Sequence, residues 1–200
     1  MSSVNTKLQD AAVSHAVDMN QYSTGVVRRI IALLNRADAE IATELAKALE
    51  RMQPSDFNVD RLESLLLSVR SLNGQAYAAI GQELTSELQA LVQYEAGYQL
   101  TLFQSTIPPQ VVASVGVASV NVQQVAAAAL SRPFQGRLLR EWANSIESDR
   151  MARIRDNVRM GFIEQEPIAQ IVKRIRGTKA KGYSDGIIEI DRRNAEAVIR

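Results

Sequence analysis

Residues with distinctive side-chain chemistry are scarce in this chain of 200 residues. There is no cysteine, which excludes disulfides, thiolate metal ligands and thiol nucleophiles. The single histidine, His15, excludes a metal site built from several histidines. It falls on an apolar helix stripe, so a core or interface position explains it better than a ligand role. Aromatic residues make up only 5% of the chain, which together with abundant alanine favours helices over sheets.

Long apolar runs and site motifs are missing as well. No segment approaches the roughly 18 consecutive apolar residues that cross a bilayer, and the N-terminal MSSVNTKLQDAAV lacks the basic and apolar regions of a signal peptide. No glycine-rich phosphate loop is present. Glu189 stands alone among apolar residues, which fits a surface position better than a catalytic role. We therefore predict no catalytic residue, no cofactor site and no metal site.

The net charge of +1 hides a difference between the two ends of the chain. Residues 1–131 carry 8 Lys or Arg and 12 Asp or Glu, whereas residues 132–200 carry 15 and 10. A basic C-terminal region is typical of a segment that lies near phosphate or an acidic partner, but solvated ion pairs along helices give the same composition. The charges alone leave both interpretations open.

The first 107 residues predict a long helical hairpin. Apolar or small side chains recur at steps of three and four over residues 5–52 and again over residues 60–104, which is the spacing of one helix stripe. Pro54 and its polar neighbours break the pattern between them. Two long helices with a short connection are expected to pack antiparallel.

A linker and then a third region, 122–200, are expected after the hairpin. Residues 108–121 begin with two prolines and are rich in valine and serine without helical spacing, which predicts a linker or an extended segment. Residues 122–130 form a short alanine-rich helical pattern, for which Asn121 is a suitable N-cap.

The last part of the chain predicts a small α+β domain. An apolar helical stripe ends at Gly161, and a short helix is expected over residues 168–176. Residues 182–190 place a turn-forming Asp-Gly pair among β-branched residues, which indicates a β-hairpin. A terminal helix then runs to the last residue without a stop signal, so we expect the natural protein to continue. The predicted fold class is mainly α, with a long antiparallel helix pair followed by the start of this α+β domain.

Four segments of this last part resemble a known family. They are RPFQGRLLREW at 132–142, RMGFIEQEP at 159–167, QIVKRIRGT at 170–178 and RRNAEAVIR at 192–200. Their order and spacing resemble the start of the MuF-like head morphogenesis domain of tailed-phage minor capsid proteins. In that domain a helix ends in a glycine, a short helix follows, and a terminal helix is rich in Arg, Ala and Glu.

The resemblance implies a structural role without a catalytic motif. A protein of this family is expected in the virion, where it docks on the portal protein at the portal vertex of the head beside copies of itself in a ring. It is expected to act in head assembly or in DNA packaging and ejection. Two other roles stay open. One is an ejected inner-core protein whose long helices form a conduit for DNA across the host envelope. The other is an internal cell-wall hydrolase, for which no glutamate stands in a recognisable catalytic setting.

The densest basic run is KRIRGTKAK at 173–181, which holds five cations and no acid. Because it precedes the predicted hairpin, we expect it to be exposed. No aromatic residue is interleaved for base stacking, so the run fits sequence-independent contact with the phosphates of packaged DNA, or contact with an acidic surface of the portal. The candidate contact residues are Lys173, Arg174, Arg176, Lys179 and Lys181.

A second arginine-rich stretch precedes that run. Arg150, Arg153, Arg155 and Arg159 alternate with acidic residues along one predicted helix. They indicate either ion pairs between neighbouring turns of a solvated helix or contact with DNA or an acidic ring.

Overall fold

The structure, a computed structural model, describes residues 3–52, 58–116, 118–133 and 137–199. Within these residues it has eight α-helices and no β-strand, which confirms the prediction of a mainly α chain. The helices are α1 (Val4–Glu50), α2 (Val59–Leu65), α3 (Leu67–Thr106), α4 (Pro109–Val115), α5 (Val122–Ser131), α6 (Leu139–Ile163), α7 (Ile168–Arg176) and α8 (Ile190–Ile199).

The long helices follow the apolar stripes of the sequence. α1 spans 47 residues without a proline, and its stripe buries Ile30, Ile41 and Leu45 almost completely. α2 begins where the side chain of Asn58 accepts a hydrogen bond of 2.8 Å from the N–H of Arg61, which caps the helix. The turn predicted at Pro54 lies outside the described residues.

Residue contacts divide the chain into two units, and each takes in separate stretches of sequence. The first unit contains the described parts of 1–26 and 82–139, and the second contains the described parts of 27–81 and 140–199. The predicted boundaries 1–107, 108–121 and 122–200 cut across these units and stay a prediction.

In the first unit, α1 and α3 run antiparallel. The hydroxyl of Tyr22 donates to the Glu87 carboxylate at 2.6 Å, and the hydroxyl of Tyr98 donates to the Ala11 carbonyl at 3.2 Å. Residue numbers therefore rise along α1 as they fall along α3. Little else in this unit is buried, because the described residues of α4 include no buried one and those of α5 bury only Ala126.

The second unit holds the main hydrophobic core. Side chains from α1, α2, the start of α3, α6 and α7, from the residues just after α1 and α2, and from the loop before α8 meet in one cluster with less than a tenth of each exposed. This core fixes α6 and α7 against the first long helix. Its members are Ile41, Leu45, Leu49, Met52, Leu62, Leu66, Val69, Met151, Ile154, Val158, Ile171, Ile175 and Ile188.

The prediction of a β-hairpin over residues 182–190, and with it of an α+β domain, is wrong. The described residues there form turns and a 3-10 turn at Ile187–Glu189, with another 3-10 turn just before at Lys179–Lys181. Two contacts explain the difference. The Asp185 carboxylate accepts hydrogen bonds from the N–H and the hydroxyl of Thr178, so it fastens the loop back onto its own start. Ile188 is drawn into the helical core instead of alternating along a strand.

Two smaller expectations also differ from the structure. The segment expected as a linker contains α4, which begins at Pro109, where a missing N–H costs nothing, and is capped by Gly116 in the left-handed conformation. α6 does not stop at Gly161 but continues to Ile163. Gly161 instead lets α7 approach closely, because a Cβ atom there would lie 2.5 Å from Cγ1 of Ile171.

Candidate interaction sites

The basic run 173–181 lies on the end of α7 and the loop after it, and the structure separates its five cations into two groups. Lys173, Lys179 and Lys181 are exposed. Arg174 is less available to a partner than these lysines, because its guanidinium is engaged within the protein. Its guanidinium lies 3.0 Å from the Glu166 carboxylate and donates to the carbonyl of Asn157 at 2.9 Å.

Arg176 is also engaged within the protein. Its guanidinium carbon lies 4.5 Å from the ring centroid of Tyr183, a cation–π contact that holds the loop against α7. Tyr183 adopts a positive φ of 64°, and Gly177 at the end of α7 has φ 91°. The loop backbone is therefore folded tightly beneath this arginine, with Gly186 packed so closely that a Cβ atom would overlap the backbone of Arg176.

An open groove of about 600 Å³ runs beside the basic run. It is lined by Pro167, Ala169, Gln170, Lys173, Arg174 and Asp185. Hydrogen bonds from the backbone of Thr178, together with its hydroxyl and the nearby Lys181, lower the pKa of Asp185, so this carboxylate is ionised at neutral pH. The groove therefore presents both signs of charge, and the exposed lysines offer a weaker attraction for anions than five unpaired cations would.

The second arginine-rich stretch contributes to a buried ion cluster. Arg150 is fully buried, and its guanidinium donates to the Asp38 carboxylate of α1, with the carboxylate of Asp191 3.7 Å from its Nε. Arg153 donates to Asp191 as well. Arg192 of α8 donates to Asp38 at 2.6 Å. Three guanidinium groups and two carboxylates thus join α1, α6 and α8.

Burial and charge act against each other in this cluster. Burial raises the pKa of Asp191 to about 6, although Arg150 and Arg153 pull it down. Burial also disfavours the charge on Arg150, but the attraction of Asp38 and Asp191 outweighs this effect and leaves the pKa of Arg150 above its usual range. The ring of Tyr77 lies beside the same guanidinium, with its centroid 6.0 Å from Cζ of Arg150. Burial raises the pKa of the Tyr77 hydroxyl.

Sequence reasoning missed this cluster, although a signal was present. Neither expectation for the arginine-rich stretch describes Arg150, which lies at the centre of the unit. Arg150 stands four residues from both Ile146 and Ile154, and Asp38 stands four after Leu34 and three before Ile41. A charged residue on an apolar stripe can form a buried ion pair when a residue of opposite charge lies on the stripe of a neighbouring helix.

His15 lies in a small aromatic cluster of the first unit. Its ring stacks on Tyr98 with centroids 4.1 Å apart, and its Nε2 lies 2.6 Å from the Glu95 carboxylate. Tyr94 stacks on the other rings with centroids about 6 Å away. This position between two helices is the interface role that the sequence favours.

The described residues, 3–52, 58–116, 118–133 and 137–199, bear on metal sites and membrane spans only through their side chains and helix lengths. No group of three or more His, Cys, Asp or Glu side chains there is arranged to hold a metal ion. Among the same residues, no helix has the length and apolar character needed to cross a membrane.

Comparison of the chain with protein-family models, with curated proteins and with solved structures finds no match. The family resemblance of the C-terminal segments therefore stays a resemblance of motifs.

Proposed function

We propose that this protein is a structural minor capsid protein of a tailed phage, which docks on the portal and acts in head assembly or in DNA packaging and ejection. Its place is the virion, at the portal vertex of the head. Its partners are the portal protein and further copies of the chain. The proposal rests on the resemblance to the MuF-like head morphogenesis domain and on how the residues behind that resemblance fold.

The observation that carries the proposal is that the resembling segments contact one another. Gly161, in the segment 159–167, makes room for Ile171 in the segment 170–178. Glu166 and Arg174, from the same two segments, form an ion pair at 3.0 Å. These contacts fold two of the four resembling segments, which are neighbours in sequence, into one helical unit, as the proposed module requires.

The terminal segment of the resemblance is tied to the rest of the unit through α8. Arg192 donates to Asn35 at 2.9 Å and to Asp38 at 2.6 Å, both on α1. The module is thereby anchored on a helix of 47 residues, which is about 70 Å long at 1.5 Å per residue. The terminal segment is therefore held within the second unit, on the same helix that carries Asp38.

The exposed lysines supply the surface for the portal. Lys173, Lys179 and Lys181 remain outside the internal ion pairs and project from one helix end and its loop. They favour an acidic surface of the portal, and the same charges would attract DNA phosphates in packaged DNA. Salt separates the two partners, because release of counterions makes phosphate binding fall steeply with salt concentration.

The experiment is a binding titration of the purified chain against assembled portal rings of the same phage. We expect saturable, stoichiometric binding that follows the portal's symmetry and that weakens when Lys173, Lys179 and Lys181 are changed to glutamine. No binding to rings at micromolar concentration would contradict portal docking. Binding to duplex DNA but not to rings would reassign the lysine surface to packaged DNA.

The alternative role is an ejected inner-core protein that forms a conduit for DNA. The observation that favours it is the length of α1 and α3, 47 and 40 residues, since long helices line many extended assemblies. Copy number separates the two roles. A portal-bound protein follows the portal's symmetry, whereas a conduit protein has no reason to do so.

A further inference from the structure

A long stretch of the first unit carries no charge. Residues 96–131 are 36 consecutive residues without Lys, Arg, Asp, Glu or His. At the chain's overall charged fraction of 22%, roughly eight charged residues would be expected in such a stretch. Soluble surfaces are normally covered by mixed charges, so this absence sets the segment apart from an ordinary solvated surface.

The charge-free stretch is nevertheless largely exposed. It forms the end of α3 and all of α4 and α5, and Ala126 is the only buried residue in the described parts of α4 and α5. Large apolar side chains stand in solvent along it, with exposed fractions of 71% for Val115, 53% for Val120 and 40% for Val125. Apolar exposure concentrated in this way marks an interaction surface.

These helices also shape a cleft. It has a volume of about 750 Å³, and α3, α4 and α5 line it with side chains that include Leu91, Phe103, Ile107, Val115 and Val125. Among the described residues of its lining, Glu95 alone is charged, and that carboxylate is engaged by His15 at 2.6 Å. The cleft is therefore a concave apolar surface, the kind of groove that accepts a helix.

The polar residues of the stretch favour a protein partner over a lipid surface. Gln99, Gln110, Ser114, Gln123 and Gln124 are interspersed among the valines and alanines. Amide and hydroxyl groups lose their hydrogen bonds to water in hydrocarbon, which is costly, but they find partners in a protein interface. Depletion of charge with retention of neutral polar groups is the composition of an interface core.

We infer that the charge-free surface of α3, α4 and α5 is a self-association surface, to which the same surface of a second copy of this chain binds. In a symmetric contact each copy presents the same patch, so any net charge on the patch is repelled by the same charge on the other copy. A stretch with no charge over 36 residues keeps this repulsion low, and the carboxylate of Glu95 beside it is engaged by His15. A contact between two copies of the same patch needs no complementary charges, and residues 96–131 supply none.

The test uses two charged variants of opposite sign in the full chain. Val115 and Val125 both line the cleft and are exposed, so we expect their replacement to leave the unit folded. One variant is Val115→Lys with Val125→Lys, and the other is Val115→Glu with Val125→Glu. The matched control is Val13→Lys with Val17→Lys, which changes two exposed valines of α1 in the same unit. Helix content by circular dichroism confirms folding of each variant.

Sedimentation velocity over a range of concentrations gives the outcome. We expect the parent and the α1 control to dimerise at micromolar concentration, each charged variant alone to associate at least tenfold more weakly, and an equal mixture of the two variants to regain the parent's association. A monomeric parent, charged variants that associate as the parent does, or a mixture that fails to recover would each overturn self-association through this surface. A monomeric parent whose binding to portal rings or to neutral vesicles depends on Val115 and Val125 would assign the surface to that partner instead.

Self-association at this surface rests on the proposed function in so far as further copies of the chain are among its partners, but it uses a different surface from portal docking, which uses the lysines of the second unit. A chain that dimerises but ignores portal rings would retain the self-association surface and lose the proposed function. A chain that binds rings as a monomer would give the reverse result.

Discussion

The guanidinium of Arg150 donates to the carboxylate of Asp38 across 112 residues of sequence, and both side chains are buried. The carboxylate of Asp38 also accepts a hydrogen bond from Arg192 of α8, so it pairs with two cations from different helices. A buried carboxylate in this position does more than form one pair, because its removal takes the shared partner from Arg192 and leaves Arg150 with the Asp191 carboxylate at 3.7 Å.

The first prediction concerns Asp38. Asp38→Ala should lower the free energy of unfolding by about 3–5 kcal/mol, the usual cost of leaving a buried charge without its partner. The matched control is Glu40→Ala on the same helix, where an exposed pair with Arg36 at 3.2 Å contributes about 0.3–0.5 kcal/mol. Urea denaturation followed by circular dichroism measures both. Equal stability of the two variants would contradict a structural role for the cluster.

The second prediction concerns pH. The pKa of Asp191 is raised to about 6 in the folded protein, whereas an unfolded aspartate titrates near about 4. The folded state therefore binds this proton more tightly, and the stability it contributes is fully present below about pH 4 and lost as the pH rises through about 6.

Asp191→Asn removes this titration and serves as the reference. The stability of the parent minus that of Asp191→Asn should fall by up to about 3 kcal/mol between pH 4 and pH 7, since each pKa unit corresponds to about 1.4 kcal/mol. Denaturant unfolding at a series of pH values measures the difference. A difference that rises with pH would show instead that the arginines depress the pKa of Asp191 on folding.

The third prediction compares two helical glycines. Gly161→Ala should destabilise the second unit by about 1–3 kcal/mol, because the new methyl group would press on Ile171. Gly74→Ala is the control, since a Cβ there would meet no described atom within 4 Å beyond its chain neighbours and its own helix backbone, and alanine gains up to about 1 kcal/mol over glycine in a helix. Thermal melting of both variants decides, and a stabilised Gly161→Ala would mean that α6 and α7 are not closely packed.

The fourth prediction concerns the exposed lysines. Changing Lys173, Lys179 and Lys181 to glutamine should weaken binding to portal rings at least tenfold without altering the melting temperature, because these side chains are exposed. If DNA is the partner, the slope of log affinity against log salt should instead fall by about 0.9 for each lysine that contacts a phosphate.

A control variant removes three exposed cations of α1 by changing Lys7, Arg28 and Arg36 to glutamine. It alters the net charge equally, so it separates a local contact from a general charge effect. Equal losses in the two variants would argue against a specific lysine surface.

Much of the fold follows from the spacing of apolar residues, and the failures have local causes. The stripes of α1 and α3 repeat over many turns, so they identify long helices without knowledge of the partner. The Asp-Gly pair at 185–186 is a common hairpin signal, yet here Asp185 binds Thr178 seven residues earlier, a contact that only the folded loop creates. The residues of the turn alone do not determine which backbone N–H will donate a hydrogen bond to the Asp185 carboxylate.

The candidate site could be predicted only in part for a similar reason. The cations of 173–181 are evident in the sequence, but whether each is exposed depends on neighbours outside the run. Arg174 meets Glu166 and Arg176 meets Tyr183, so two of five cations are held internally. The buried pair of Asp38 and Arg150 requires two stripes to be placed in register, which a single sequence does not specify.

The measurement that tests the central claim most directly is imaging of the portal vertex in purified heads of the proposed phage, reconstructed without imposed symmetry. We predict helical density of this chain on the portal, in a copy number that follows the portal's symmetry. Heads that contain the chain away from the portal vertex, or that assemble and package DNA normally without it, would contradict the account.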